Sequence, residues 1–460
     1  MKKNSFWFYI VTFSVFFILI SPTFLSQGMF FDGTIYSTIA KNFALNNWSF
    51  WIPHYTTTFN NVFYGHPPLS MWLHSKFLVL FGNYLIVDKI FSVLTIILTS
   101  FVISLISKIE GLKFNWLPII LWFTSPLVFW AATNNVLENL LSFFVALSML
   151  FFVLSNKKHS FFMLIMSGLA IFAGLLTKGF VALFVLSAPF FYFLFDRNRK
   201  FWKFFKQTSI MLFFSVFPAT ILYFFNHQAQ NFIDNYLKVQ FLGSFNVITA
   251  HSRFDIIIDA ISNLFPFIII SILLFLVKRL KKFETKIEWN KALVYLFVAL
   301  SGTLPIMITL KQSQIYLIPA MVFYSLFFAF IFEGYLNRLT LRVVYVKYLS
   351  ILLLTTSIVS NIYFSNKIGR DKDLLLQVNQ LIEVMPSDST ISVPYSVYSN
   401  WSVNAYLARY KNISLDATQE ANHKYLLWDK NFKIDSLHYK IILETKDYIF
   451  LEKIVRNKTN

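Results

Sequence analysis

The sequence predicts an all-α polytopic membrane protein that ends in a small soluble α/β domain. Of its 460 residues, 57% are hydrophobic and only 13% are charged, whereas about a quarter of the residues of a soluble domain are charged. The apolar residues form runs of about 17 to 24 residues, which are long enough to cross a bilayer as helices. These observations exclude an ordinary soluble globule. The absence of cysteine excludes disulfides and thiolate catalysis.

Eleven apolar runs are predicted to span the membrane. They cover residues 6–26, 85–107, 114–132, 135–155, 160–177, 180–196, 207–226, 255–278, 291–310, 314–334 and 344–364. The first run resembles a signal peptide, but no small-residue cleavage motif follows it, so we predict an uncleaved span. A twelfth apolar run, 67–81, is shorter and carries His74 and Lys76.

The loop charges predict the orientation of the chain, whose formal net charge is +18. If 67–81 does not span, one side of the membrane receives most cations and the other receives few. The first set is Lys2, Lys3, Lys108, Lys113, Lys157, Lys158, Arg197, Arg199, Lys200, Lys203, Lys206, the KRLKK run at 278–282, Arg338 and Arg342, and the second is Lys41, Lys76, Lys89, Lys178, Lys238, Arg253 and Lys311. Cytoplasmic loops attract the cations. We therefore predict a cytoplasmic N-terminus and an interfacial helix at 67–81, and the charge requires no nucleic acid partner.

Two domains follow from the same pattern. Residues 1–365 form the transmembrane domain, with a first outer loop at 27–84 and a second outer segment at 227–254. Residues 366–460 form the soluble domain, in which 371–386 has helical spacing and 389–399, 423–431 and 439–454 read as strands. Its aromatic residues are expected to pack in the core around the strands rather than stack on sugars; they are Tyr395, Tyr398, Trp401 and Tyr406.

Asp32 is the first candidate functional residue. It lies in GMFFDGTIYSTIAK (28–41), and the first 31 residues contain no acidic group. An ionisable group at the membrane surface is costly and is a functional hypothesis by default. The alternative is a helix cap, because Asp before a helix satisfies its first amide groups. The two interpretations are compatible.

Three further outer stretches each have a structural alternative. In YGHPPLSMWL (64–73), His66 precedes a tandem proline, which is also typical of a simple turn into an interfacial helix. Glu138 lies near the outer start of an apolar helix, where it also favours the helix dipole. Lys178 lies in a very tight turn between two spans, where a lysine can also extend to the membrane surface.

Together these stretches resemble a known clan: multispanning, lipid-phosphate-sugar-dependent glycosyltransferases, which include protein O-mannosyltransferases and lipid A aminoarabinose transferases. The resemblance covers roughly residues 1–335. It runs in one order through FFDGTIYSTIAKN, WSFWIP, YGHPPLSMWL, VDKIFSVL, NNVLENLLSFF, LLTKGFVAL and SQIYLIPAMVF. It implies many transmembrane helices with interfacial helices in the first outer loop.

The resemblance also implies site residues. It places the acidic residue that starts the first outer loop at Asp32, the acidic residue at the outer start of a later helix at Glu138, the tight-turn lysine at Lys178 and the tyrosine of the YLIP stretch at Tyr316. The chain departs from the pattern at Gly65 and His66, where aminoarabinose transferases often carry a Glu-Lys pair, and at Lys89, where an arginine is usual. The double-acid start of the mannosyltransferase loop is reduced to Asp32-Gly33. These departures leave the sugar and the acceptor open.

We therefore predict an inverting transfer of sugar from a polyprenyl phosphate donor to a hydroxyl acceptor, a protein Ser/Thr or a surface glycan such as lipopolysaccharide. Asp32 would be the general base, and Glu138 would orient the acceptor or help to hold a metal. The donor phosphate would bind Lys178, His66, Lys311 and Tyr316. Donor and acceptor would also meet Tyr36, Tyr64 and Lys89.

The main alternative is a transporter or flippase of lipid-linked sugars, which would need broken helices with charges near the membrane centre. A divalent metal is conceivable, but no cluster has metal-ligand spacing, so we predict no certain cofactor. The short inner loops and the absence of cysteine favour a bacterial inner membrane, with the active site on the outer face.

Overall fold

The structure is a computed structural model. It describes residues 2–46, 48–59, 61–196, 200–282, 284–337, 343–418, 423–432 and 438–454. Four of the predicted inner-loop cations lie outside the described residues: Arg197, Arg199, Arg338 and Arg342.

Fifteen α-helices precede the C-terminal domain in the described part of the chain. They are α1 Lys2–Phe24, α2 Phe31–Asn46, α3 Leu69–Phe81, α4 Leu85–Glu110, α5 Leu117–Thr124, α6 Pro126–Ala132, α7 Leu137–Lys158, α8 Phe161–Lys178, α9 Ala188–Phe195, α10 Phe201–Phe225, α11 His227–Tyr236, α12 Asp255–Lys281, α13 Trp289–Thr303, α14 Ile318–Leu336 and α15 Val343–Phe364. The predicted all-α membrane architecture is confirmed.

Nine segments within the described ranges are long and apolar enough to cross a membrane, against eleven predicted. The run at 114–132 is divided because Ser125 has extended backbone and Pro126 starts a new helix, which leaves pieces of 8 and 7 residues. Residues 161–195 count as one segment of 35 residues. The chain nevertheless reverses inside it, because Gly179 has φ +74° and the following 3-10 stretch brings Ala182 against Gly174.

The first outer loop contains two helices, as predicted. Helix α3 has 13 residues, so it is only about 20 Å long and shorter than the hydrocarbon core of a bilayer. Its buried side chains recur at helical spacing, at Met71, His74, Ser75 and Leu78. Its placement at the membrane interface remains a prediction.

The transmembrane core forms by pairwise helix packing. Helix α1 packs on α15, α4 and α8 pack on α7, and α13 packs on α14. Aromatic rings fill the spaces between them: Phe16 of α1 stacks on Phe123 of α5 with ring centroids 4.2 Å apart, and Trp122 is completely buried. This packing fixes the ends of α2, α7 and α8 relative to one another.

The C-terminal domain is a five-stranded mixed sheet with three helices. The strands are β1 Thr390–Ser392, β2 Ser414–Asp416, β3 Tyr425–Asp429, β4 Tyr439–Glu444 and β5 Tyr448–Lys453, in the spatial order β2-β1-β3-β5-β4. The helices are α16 Lys372–Val384, α17 Tyr395–Tyr398 and α18 Trp401–Lys411. Strand β1 pairs in parallel with β2 and β3, whereas β5 pairs antiparallel with β3 and β4.

One predicted strand of this domain is wrong in its second half. Strand β1 ends at Ser392, and Pro394 then starts a short helix, because proline suits the start of a helix and cannot donate to a sheet. The four aromatic residues therefore lie on or beside helices rather than on strands. Tyr406 is buried, whereas Tyr395 and Trp401 are 76% and 45% exposed.

Helix α18 attaches the C-terminal domain to the first outer loop. Ala405 and Ala408 lie in one apolar cluster with Tyr36 and Ile39 of α2. The small alanine side chains allow the two helices to approach closely. The Tyr55 hydroxyl of the loop donates to Asn404 Oδ1 at 2.8 Å.

Candidate active site

Asp32 lies in the first turn of α2 and is largely buried. Because α2 begins at Phe31, Asp32 is inside the helix rather than at the capping position before it. Its carboxylate makes no hydrogen bond within the described residues. Burial raises its pKa from 3.8 to about 6, while Lys178 lowers the value, Glu138 raises it and Lys311 lowers it. The helix-cap alternative therefore does not account for this carboxylate.

Glu138 and Lys178 form a buried ion pair beside Asp32. Glu138 is in the first turn of α7 and Lys178 is the last residue of α8, and their side chains are 1% and 6% exposed. The Lys178 ammonium contacts the Glu138 carboxylate and also lies 4.7 Å from the centre of the Tyr316 ring. A lysine that extended to the membrane surface would be exposed, so this structure does not support that alternative.

The tight turn after Lys178 depends on a glycine. Gly179 has φ +74°, and a Cβ there would overlap the Tyr236 hydroxyl. A residue with a side chain would be strained in this conformation and would displace α11. The turn thus directs Lys178 toward α7 and cannot be replaced by a longer loop without moving the lysine.

Tyr36, His66 and Lys311 complete the cluster. Burial raises the pKa of Tyr36, and the charges of Asp32 and Glu138 raise it further. The His66 ring lies 5.9 Å from the Tyr36 ring, and burial, with Lys178 and Lys311, lowers the His66 pKa well below its usual 6.5. Lys311 donates to Gln240 Oε1 at 2.9 Å. The structure thus makes His66 a neutral group, whose Nδ1 is buried without a hydrogen-bond partner among the described residues.

Two further predicted residues, Tyr64 and Lys89, make contacts of other kinds. Tyr64 packs on Phe232, with ring centroids 5.7 Å apart. Lys89 is buried on α4, where its ammonium donates at 2.5 Å to the carbonyls of Thr23 and Ser26. Since these carbonyls satisfy the ammonium, Lys89 joins α4 to the end of α1.

An apolar cavity of about 350 Å³ adjoins the cluster. Pro67 and Gly179 line it, and these residues directly follow His66 and Lys178. Its other walls include Trp51, Leu176, Tyr223 and Phe232. The lining is therefore mostly apolar, and two of its residues are the chain neighbours of His66 and Lys178.

Sequence reasoning missed several residues around this site. Gln240 and Tyr236 come from the second outer segment, which carries no motif that marks them. Asp88 is a buried acidic residue at the start of the span α4. The criterion that selected Asp32 therefore applies to Asp88 as well. No group of three or more His, Asp or Glu side chains among the described residues could hold a metal ion.

Comparisons with known proteins bear on the family and the fold of this chain. Residues 65–223 match the model of the dolichyl-phosphate-mannose-protein mannosyltransferase family. The region includes HPPL, Glu138 and Lys178 but not Asp32. A sequence search of curated proteins finds no match.

Solved structures share the fold. ArnT from Cupriavidus metallidurans bound to undecaprenyl phosphate is 13% identical over 97% of each chain, with a TM-score of 0.69. Its apo form is 14% identical over the same shares, with a TM-score of 0.67. The archaeal oligosaccharyltransferase AglB from Archaeoglobus fulgidus, in complex with an inhibitory peptide and a dolichol-phosphate, is 11% identical over 92% of this chain and 69% of that chain, with a TM-score of 0.52.

The predicted resemblance to lipid-phosphate-sugar-dependent membrane glycosyltransferases is thus confirmed, by the family match over residues 65–223 and by a fold that this chain shares with ArnT and AglB over nearly its whole length.

Proposed function

We propose that this protein is an inverting glycosyltransferase that moves a sugar from a polyprenyl phosphate to a hydroxyl acceptor at the outer face of a bacterial inner membrane. The observation that carries the proposal is the group of the buried Glu138 and Lys178, the largely buried Asp32 and the half-buried Lys311, close to an apolar cavity. Residues 1–365 would contain the whole reaction centre, and residues 366–460 would form the separate domain that covers it.

The donor is a lipid with an anionic head, and the site has the matching parts. A polyprenyl tail would occupy the apolar cavity next to Pro67 and Gly179. The phosphate would lie between Lys178 and Lys311, where charge-assisted hydrogen bonds are strong. Tyr316 and neutral His66 would each supply a hydrogen bond. The family match and the undecaprenyl phosphate bound to the similarly folded ArnT support this donor class.

Asp32 would act as the general base. The acceptor hydroxyl loses its proton to the Asp32 carboxylate as its oxygen attacks the anomeric carbon. The bond from that carbon to the phosphate oxygen breaks, and the polyprenyl phosphate leaves with the bonding electrons. A pKa near 6 makes Asp32 a stronger base than an exposed aspartate, yet leaves it ionised at neutral pH.

Lys178 and Glu138 would act as a unit. Negative charge develops on the leaving phosphate, and a fixed ammonium stabilises it without reorganisation in the transition state. Glu138 holds that ammonium through the buried ion pair. This arrangement gives Glu138 a role in orienting Lys178, in addition to the acceptor contact predicted from the sequence.

The transporter alternative receives little support. A helix break does occur between α5 and α6, at Ser125 and Pro126. However, residues 117–132 contain no charged side chain, and the charged cluster lies at the ends of helices. A lipid-linked sugar would therefore meet the charges at one face and not midway through the membrane.

The test is sugar transfer by purified protein with labelled polyprenyl phosphate sugars. Asp32→Asn should keep donor binding and lose transfer by about 10²- to 10⁴-fold, which is the usual contribution of a general base. Asp373→Asn, an exposed carboxylate of α16, is the matched control. Near-wild-type transfer by Asp32→Asn would remove Asp32 as the base. If wild-type protein neither binds nor uses any polyprenyl donor, the transporter alternative gains.

A further inference from the structure

A second buried charge cluster joins the C-terminal domain to the transmembrane helices. Arg409 of α18 donates to both oxygens of Asp88 at the start of α4, with Nε 2.9 Å from Oδ2 and a terminal nitrogen 3.1 Å from Oδ1. His74 of α3 places its Nε2 3.1 Å from Asp88 Oδ1. All three side chains are at most 2% exposed. Arginine in this two-point geometry holds a carboxylate in one orientation.

The cluster continues toward Glu138. The other ring nitrogen of His74 lies 3.3 Å from Asn135 Nδ2, and the same amide donates to Ser37 Oγ at 2.8 Å. Asn135 has φ +45°, a conformation that non-glycine residues adopt only when their surroundings hold them. It lies three residues before Glu138, so the network controls the backbone that starts α7.

Helix α18 also holds both sides of Asp32. The Met29 amide donates to the Tyr406 hydroxyl at 3.1 Å, and the same hydroxyl lies 2.8 Å from the Met29 carbonyl oxygen. Near the other end of α2, Lys41 Nζ donates to the Arg409 carbonyl at 3.1 Å. Met29 is three residues before Asp32, and Lys41 is nine residues after it. Neither end of this segment can shift without breaking a buried contact to α18.

The helix that carries Asp32 also fits closely against the start of α7. A Cβ at Gly33 would overlap the Asn134 carbonyl oxygen, and the Phe30 amide donates to Asn134 Oδ1 at 2.8 Å. The segments that bear Asp32 and Glu138 therefore touch directly, and the contacts of α18 close around both.

We infer that Arg409 is a positioning residue. Through Asp88, His74 and Asn135, Arg409 lets the C-terminal domain determine the distance between Asp32 and the Glu138–Lys178 pair. The domain is then part of the catalytic apparatus and not only a cover for the acceptor. This inference rests on the proposed function. Its physical basis is that a displacement of about 1 Å at a reaction centre can cost about 10²-fold in rate.

The first test is the kinetics of Arg409→Gln and Arg409→Lys in the full-length protein. Arg409→Gln should lower kcat at least tenfold and leave KM for the lipid donor within threefold, because neither Arg409 nor its partners touch the donor cavity. Arg409→Lys keeps the charge but loses the two-point geometry, and it should recover part of kcat. Lys424→Gln removes an exposed ion pair of the same domain and should behave as wild type.

A folded Arg409→Gln protein with kcat within threefold of wild type would overturn the inference. If Arg409→Gln does not fold, Tyr406→Phe is judged instead. It removes only the hydroxyl, which contacts Met29 and the Asp371 carboxylate, and should lower kcat at least threefold with an unchanged KM. An unchanged kcat in Tyr406→Phe would count against the inference in the same way.

A second measurement does not depend on activity. The chain has no cysteine, so spin labels can be attached at Leu45→Cys on α2 and Leu376→Cys on α16, two positions that are 60% and 49% exposed. The distance distribution between the labels should broaden in Arg409→Gln and not in Lys424→Gln. An unchanged distribution would overturn the inference. If wild-type protein transfers no sugar, the proposed function fails, while this distance still decides whether Arg409 positions α2.

Discussion

Two buried ion pairs lie in neighbouring parts of this protein, and they are built differently. Both oxygens of Asp88 are engaged by Arg409, and His74 closes the remaining side. Lys178, in contrast, contacts Glu138 and a tyrosine ring. Near this pair lie an apolar cavity and the carboxylate of Asp32, which has no hydrogen-bond partner in the described part of the chain. A structural pair is saturated by the protein, whereas a site for substrate keeps polar groups that the protein itself leaves unsatisfied.

The difference predicts that the two pairs lose stability to different degrees when their carboxylates are neutralised, and that the unpaired Asp32 responds in the opposite direction. Removing one partner of a saturated pair leaves an uncompensated buried charge. Asp32 differs, because its buried carboxylate has no hydrogen-bond partner among the described residues. Neutralising it therefore removes the free-energy cost of burying a charge. Four experiments test this contrast.

Asp88→Asn should give the largest change. It leaves Arg409 buried without its carboxylate, which should cost about 3–5 kcal/mol of stability. Thermal unfolding in detergent, followed by tryptophan fluorescence, measures the loss. Glu138→Gln is the matched variant of the other pair, and it should cost less because Lys178 keeps its contact with the Tyr316 ring. Equal losses in the two variants would remove the contrast.

Lys178→Met should lower kcat and weaken donor binding together. It removes the ammonium that stabilises the leaving phosphate, and the loss of one such donor costs about 10²- to 10³-fold in kcat. Donor binding should also weaken, as measured by titration with a labelled polyprenyl phosphate. Lys372→Met, an exposed lysine of α16, is the control. A variant with unchanged kcat would separate Lys178 from the chemistry.

Asp32→Asn should raise stability at neutral pH while it abolishes transfer. Burial raises the Asp32 pKa from 3.8 to about 6, so folding favours the protonated carboxyl. The stability that this group contributes is complete below about pH 4 and is lost as pH rises through 6. At pH 7.5 the ionised group lowers the free energy of unfolding by up to about 3 kcal/mol, because each unit by which the folded pKa exceeds the unfolded pKa corresponds to about 1.36 kcal/mol. Asn avoids that cost, so unfolding should shift at pH 7.5 and not at pH 4.

The pH dependence of transfer should show the smallest effect. Because Asp32 must be ionised to accept a proton, kcat/KM should fall below about pH 6 and be roughly tenfold lower at pH 5 than at pH 7. Lys311 lowers this pKa. Lys311→Met should therefore move the acid limb upward by less than about one unit. An acid limb near pH 4 would mean that Asp32 is more exposed than the structure shows.

A large part of the architecture was predictable because hydropathy and loop charge are local properties of the chain. The runs that became α4, α7, α10, α12 and α14 were found within a few residues of their observed ends. The chain reversal at Gly179 was also expected from two adjacent apolar runs. The division of 114–132 at Pro126 was not predicted. Only Ser125 and Pro126 mark it, and the rest of the run is uniformly apolar.

The candidate site was predictable only in its residue types. Asp32, Glu138 and Lys178 stand out because a charged residue at the end of an apolar helix is rare and costly. Lys89 satisfied the same criterion, yet its ammonium serves two backbone carbonyls of the α1 end. The burial that makes His66 neutral also has no local sign, since it depends on what packs around the residue.

By itself, the sequence determined the class of protein, most of its spans and the set of charged residues at helix ends. Only the tertiary structure decided which of these charges meet: Lys178 with Glu138 beside Asp32, and Arg409 with Asp88 more than 300 residues apart in the chain. The physical reason is that hydropathy acts along one segment at a time. A buried charge, in contrast, is stabilised only by the partners that helix packing brings to it.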